Sequence, residues 1–81
     1  MYYFYVLQNG GGAFYFGSTS NLRKRVADHN GGKSRYTKGK GPYRLVYYEA
    51  YLSKRLAIKR ELHIKNSGKE RKLLIDRLEL R

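Results

Sequence analysis

Tyr5 and Tyr15 stand ten residues apart, each inside a run of aromatic residues. A phenol beside a bound phosphate can take a proton from water or orient that water. Its ordinary pKa of ~10 must first be lowered by a neighbouring cation if it is to act as a base near neutrality. The plainer role for both is to fill a core. Arg25 and His29 follow, spaced i,i+4 and so on one side of a helix. A guanidinium there can hold two non-bridging phosphate oxygens, whereas in the run Arg23-Lys24-Arg25 it can equally be one charge on a solvated face. His29 can hydrogen-bond a phosphate or position a phenol, or be a partly exposed polar residue. Glu61 falls on a helical wheel between Ala57 and Ile58, in the arc that also holds Leu62 and Ile64. A carboxylate on an inward arc is costly unless something compensates it. A salt bridge to Lys65 and a bound metal ion are the two candidates.

Local signals supply the elements that must position these groups. Residues 2–7 (YYFYVL) and 13–17 (AFYFG) read as strands. Gln8-Asn9-Gly10-Gly11-Gly12 between them reads as a turn, glycine supplying the positive φ that a reversal needs. If Leu7 pairs with Ala13, Tyr5 lies directly opposite Tyr15 on one face, with Cβ atoms ~4.5–5.5 Å apart. Ser20 or Asn21 caps a helix over about 21–30. Its apolar pair is Leu22 and Val26, with Arg25 and His29 at the border of that stripe, and Asn30-Gly31-Gly32 ends it. Residues 43–51 (YRLVYYEAY) form a third strand. Ser53 caps a helix over about 54–66, Ser67-Gly68 breaks it, and a last helix spans about 69–79 with Leu73, Leu74 and Leu78 inward. The order is ββαβαα, an α+β fold with a small, mainly antiparallel three-stranded sheet flanked by helices. On that sheet the hydroxyls of Tyr5 and Tyr15, with Arg25 and Glu61, are expected to converge on one concave surface.

Composition narrows the partner. The 81 residues make one domain, 1–81, with room for a single core. Eighteen Lys and Arg against six Asp and Glu give a net charge of +12, with a pI near 10.2, which points to a polyanion. The charge is segregated: residues 1–22 carry none, and every Lys and Arg lies from Arg23 onward. A hydrophobic content of 41% is too high for a disordered basic tail. The absence of cysteine removes disulfides, thiolate zinc sites and a thiol nucleophile, and fits a reducing compartment. No apolar run approaches the ~20 residues of a membrane span. The start Met1-Tyr2-Tyr3 lacks the basic segment of a signal peptide. These features lead us to expect a cytoplasmic protein with no membrane partner.

The ordered set resembles the GIY-YIG nuclease family, particularly its small stand-alone members. Tyr3-Phe4-Tyr5 stands where the family has Gly-Ile-Tyr, and Tyr15-Phe16-Gly17 where it has Tyr-Ile-Gly. Asn21-Leu22-x-x-Arg25-x-x-x-His29 follows, then Lys33, Tyr36 and Thr37. The strand Leu45–Glu49 and Ala57-x-x-x-Glu61 complete the set. Tyr3, Phe4 and Phe16 depart from the family pattern, as packing changes that leave the reacting groups intact.

The resemblance implies a metal-dependent endonuclease that hydrolyses DNA phosphodiesters to 5′-phosphate and 3′-hydroxyl ends, in DNA repair or recombination. It implies Tyr5 as the base that activates water and Tyr15 as its phosphate-positioning partner. Arg25 and His29 would stabilise and orient the phosphate. Glu61 would be the ligand of one Mg²⁺ (or Mn²⁺), an ion that needs only one or two carboxylates when phosphate and water fill its other positions. Glu49, Glu70, Asp76 and Glu79 read as surface or ion-pair residues, and His63 as surface.

Lys33, Arg35, Tyr36, Lys38 and Lys40 lie in a glycine-rich basic stretch suited to nonspecific phosphate contacts. That stretch lacks the Gly-Lys-Ser/Thr ending of a P-loop, which disfavours nucleotide hydrolysis. A non-catalytic nucleic-acid-binding module with the same fold is the competing class, and a basic ribonucleoprotein component a third. DNA in the nucleoid is the expected substrate. With no length for a separate recognition domain, the chain is expected to act with a partner protein or a homodimer that supplies specificity, on a branched or damaged structure, or with little selectivity.

Overall fold

The computed structural model describes residues 1–31 and 41–79. Its order is β1 (Tyr2–Asn9), β2 (Phe14–Thr19), α1 (Leu22–Asn30), β3 (Tyr43–Tyr51), α2 (Lys54–Asn66) and α3 (Gly68–Leu78). This is the ββαβαα, α+β arrangement that the residue patterns suggest. The sheet order is β2-β1-β3, and both pairings are antiparallel. Among the described residues no helix is long and apolar enough to cross a membrane.

Asn9 decides the hairpin. Its Oδ1 accepts from the backbone N–H groups of Gly11 and Ala13 at 3.0 and 2.9 Å. Its backbone N–H donates to the Ala13 carbonyl at 3.0 Å. Gly12 supplies the positive φ of 87°. The reversal therefore comes after Asn9, and β1 runs two residues beyond its expected end. Leu7 pairs with Tyr15, not with Ala13, and Tyr5 pairs with Gly17, not with Tyr15. A two-residue shift preserves the face, because side chains alternate with a period of two. Tyr5 and Tyr15 thus still share a face, but as diagonal neighbours with ring centroids 6.3 Å apart.

The sheet separates two apolar layers. On one face Phe4, Val6 and Phe16 pack with Ile64 of α2 and with Leu74 and Ile75 of α3. On the other, Tyr5, Leu7 and Tyr43 pack with Leu22 and Val26 of α1. The inward face of α3 is Leu74, Ile75 and Leu78, and Leu73, expected inside, is 52% exposed. On α2 only Ala57 and Ile64 are buried, so Ile58 and Leu62 fall on the exposed flank. Both differences have one cause. A single helix crossing a small sheet buries a narrower arc than the apolar residues span, and packing selects which edge of that arc turns in.

The helix ends are locally determined. Asn21 accepts from the Lys24 backbone, Ser53 from Leu56 and Ser67 from Glu70, at 3.1, 3.2 and 3.2 Å. Arg71 of α3 donates from Nη1 to the carbonyls of Ile64 and Lys65, satisfying the open C-terminal end of α2.

Candidate active site

Gly17 explains the placement of Tyr5. A Cβ at residue 17 would lie 2.4 Å from the Tyr5 hydroxyl and 2.6 Å from Cζ. The phenol therefore lies across the backbone of β2 in a slot that only glycine leaves open. This carries its oxygen from the central strand toward the β2 edge of the sheet. There the hydroxyl meets His29 Nε2 at 3.0 Å and Arg25 Nε at 3.4 Å. Arg25 can only donate, and a buried phenol proton needs an acceptor, so Tyr5 donates to Nε2 and its oxygen accepts from Arg25.

Burial governs the protonation of this trio. Tyr5 has no exposed surface, and burial pushes its pKa up to about 12 despite the opposing hydrogen bond and charge of Arg25. The expected lowering of the Tyr5 pKa is thus reversed: one cation at the phenol does not offset desolvation. His29 is 1% exposed, which removes the partly exposed alternative. Burial, and then the charge of Arg25, move its pKa below the ordinary histidine value. The hydrogen bond to Tyr5 holds the Arg25 guanidinium firmly charged.

Tyr15 completes the aromatic part. It is half-buried, with its ring 4.5 Å from that of His29 and the Lys65 ammonium 5.5 Å from its own centroid. Lys65 Nζ donates to Glu61 Oε2 at 2.7 Å, and Ser18 Oγ donates to Glu61 Oε1 at 2.6 Å. The chain of contacts therefore runs Arg25, Tyr5, His29, Tyr15, Lys65, Glu61, Ser18. The negative charge of Glu61 is itself felt at Tyr5, whose pKa it helps to raise.

This is not the single-face arrangement expected. Arg25 and His29 come from α1 on one side of the sheet, and Glu61 from α2 on the other. The groups approach one another around the edge strand β2. There Tyr15 and Gly17 face α1, and Ser18 faces α2.

The residue pattern marks Lys65 as a salt-bridge partner of Glu61 and gives Ser18 no role, whereas the structure brings both onto the Glu61 carboxylate. The i,i+4 spacing signals the first. Ser18 shares a strand face with Phe16, which signals the second. Lys33, Arg35, Tyr36, Lys38 and Lys40 lie outside the described residues.

The donor set can be tested against a divalent ion. Among the described residues no group of three or more His, Cys, Asp and Glu could hold a metal. Glu61 offers hard carboxylate oxygens on a side chain 18% exposed, backed by a hydroxyl. That fits Mg²⁺ or Mn²⁺, which take one or two carboxylates and leave the other positions to water and phosphate.

Known proteins sharpen the picture. The GIY-YIG catalytic domain matches residues 1–73. The chain belongs to the GIY-YIG family. It is 44% identical over 72 residues to a UPF0213 protein of Lacticaseibacillus paracasei, covering 88% of this chain and 81% of that protein. It is 43% identical over 74 residues to one from Clostridium perfringens, covering 90% and 80% respectively. The solution NMR structure of a UPF0213 protein from Bacillus halodurans is 35% identical with a TM-score of 0.58, covering 94% of this chain and 84% of that one. The GIY-YIG motif now has a physical reading here: Gly17 makes the slot, and Tyr5 fills it.

Proposed function

We propose that this GIY-YIG domain is a DNA endonuclease that hydrolyses phosphodiesters with one divalent cation held by Glu61. The observation that carries the reading is the meeting of Arg25 Nε and His29 Nε2 on the Tyr5 hydroxyl. A buried phenol needs one acceptor for its proton; here a histidine and a charged guanidinium, both from α1, meet it together. Among the described residues the two Nη groups of Arg25 have no partner, so they can take the non-bridging oxygens of a phosphate.

Burial of Tyr5 supports a division of labour different from the one expected from sequence. Tyr5 holds Arg25 and His29 in place. Tyr15, with part of its ring exposed beside the Lys65 ammonium, meets the attacking water. Neutral His29, buried with its ring against Tyr15, positions that phenol. Mg²⁺ or Mn²⁺, when bound, supplies Lewis-acid stabilisation of the charge that builds on the phosphate and leaving oxygens. Lys33, Arg35, Tyr36, Lys38 and Lys40 contribute affinity, each neutralised charge lowering the salt slope by up to ~0.9 on duplex DNA. A substrate in the nucleoid, a role in repair or recombination, and a partner protein or homodimer that supplies specificity belong to the same reading.

The test is a cleavage assay with Mg²⁺ or Mn²⁺ on linear, nicked, flap and branched DNA, comparing the wild type with Glu61→Ala. Metal-dependent cutting by the wild type, lost in the variant while binding persists, is the expected result. Wild-type protein that binds all four substrates and cuts none overturns the enzyme reading in favour of a binding module.

A further inference from the structure

Lys65 is held by two groups at once. Its ammonium is 2.7 Å from Glu61 Oε2 and 5.5 Å from the centroid of the Tyr15 ring. The root of the side chain is also constrained, because Arg71 binds the carbonyl of Lys65 and that of Ile64 at 3.1 and 3.2 Å. The outer part is 40% exposed and can swing. The ammonium therefore stands between one carboxylate oxygen of Glu61 and the Tyr15 ring, and a divalent ion held by that oxygen would compete with it. The other oxygen is engaged by Ser18. Two cations at one carboxylate oxygen repel each other, so occupancy by one weakens the other.

We infer that Lys65 is the resident counter-ion of Glu61, displaced when the divalent cation loads, and that DNA assists the exchange. A phosphate arriving at Tyr15 gives the ammonium a second anionic partner and draws it off Glu61. The same phosphate offers the incoming ion another oxygen. DNA and metal consequently bind with positive coupling, and linkage makes that coupling reciprocal. Lys65 is a positioning residue in this scheme. It sets when Glu61 is available, and in the loaded state its charge is turned toward the phosphate. The inference rests on Glu61 as the ion's ligand, the reading proposed above.

The experiment follows Mn²⁺ binding to the DNA-free protein by paramagnetic broadening of the backbone amide resonances of Ser18, Glu61 and Lys65. Wild type, Lys65→Met, Lys65→Arg and Glu61→Gln are compared, and the same spectra report whether each variant is folded. Removing a half-exposed ion-pair partner should shift the Mn²⁺ midpoint of Lys65→Met about fivefold lower. Lys65→Arg should stay near the wild type, and Glu61→Gln should lose the broadening. DNA affinity, read by fluorescence anisotropy with Ca²⁺ as a non-cleaving substitute, should rise with metal in the wild type and do so by less in Lys65→Met. An unchanged Mn²⁺ midpoint in folded Lys65→Met, with broadening lost in Glu61→Gln, overturns this inference and leaves the metal site standing. Broadening that survives Glu61→Gln overturns the metal site itself.

Discussion

Glu49 and Glu61 lie on either side of the same buried seam of α2. Their side chains are equally exposed, at 18% each, yet their surroundings are opposite in kind. Glu49 accepts from Arg60 Nε and Nη2 at 2.9 and 3.2 Å, and from the hydroxyls of Tyr51 and Tyr47 at 2.5 and 2.7 Å. Arg60 is packed over Phe4, 5.7 Å from the ring centroid. Burial alone would raise the pKa of Glu49, but these donors together hold it below the ordinary value. The reciprocal effect appears on Tyr51, pushed up to about 12 by burial and by its bond to the carboxylate. Glu61 has one hydroxyl and one part-exposed ammonium. A carboxylate whose acceptor sites are filled by anchored donors holds a fold together. One whose partner can leave is able to receive something else. Exposure does not distinguish the two; the partners do.

That contrast can be broken first at Glu49. Glu49→Gln leaves Arg60 charged and half-buried without its counter-ion, so unfolding free energy should fall by about 2–4 kcal/mol in urea titrations. The folded fraction should bind and cut DNA as the wild type does. Stability unchanged by this substitution would remove the structural half of the comparison.

Glu61→Gln should do the reverse. Cleavage is expected to fall by at least ~100-fold, about 2.7 kcal/mol in the barrier. Metal-free thermal stability should hold, because the lost partner is a half-exposed lysine worth at most about 1 kcal/mol. A protein that unfolds readily while its folded fraction cuts at the wild-type rate would make Glu61 a second Glu49.

Gly17→Ala addresses how the Tyr5 side of the site is held. The new methyl group has to displace a buried ring, at a cost of roughly 1–3 kcal/mol in denaturation experiments. Because Tyr5 holds Arg25, activity should fall further than stability does. Wild-type activity in Gly17→Ala would show that the placement of Tyr5 is irrelevant to the chemistry.

The smallest expected effect is in the pH dependence of stability. Glu49 has a folded pKa below its ordinary value of 4.5, so its contribution is complete above that value and is lost as pH falls through the lower folded pKa. Wild type should therefore lose more stability than Glu49→Gln between about pH 5 and pH 3, in thermal melts at matched ionic strength. Parallel curves for the two proteins would show that the clamp does not titrate as described.

Short-range chemistry was readable from the residues alone. The third strand over 43–51 and the second helix over 54–66 lie where composition and the Ser53 cap put them, since both depend on neighbours in sequence. The spacing of Tyr5, Tyr15, Arg25, His29 and Glu61 was readable for the same reason, and it carried the family. Three things were not legible in the pattern, one set by a local turn and two by tertiary structure. The Asn9 turn sets a hairpin register two residues from the one expected, and a period of two cannot detect a shift that keeps every side chain on its face. Packing selects Ile75 over Leu73, because the two lie on opposite flanks of Leu74 on a helical wheel, and which flank turns inward is open until a neighbour arrives. Desolvation raises the pKa of Tyr5 where a neighbouring cation was expected to lower it: a side chain's pKa depends on what surrounds it, and those surroundings come from separate elements. Glu49 and Glu61 differ partly for the same reason. Spacing along α2 already sets Lys65 beside Glu61, but only the folded chain brings Arg60 onto Glu49 and Ser18 onto Glu61.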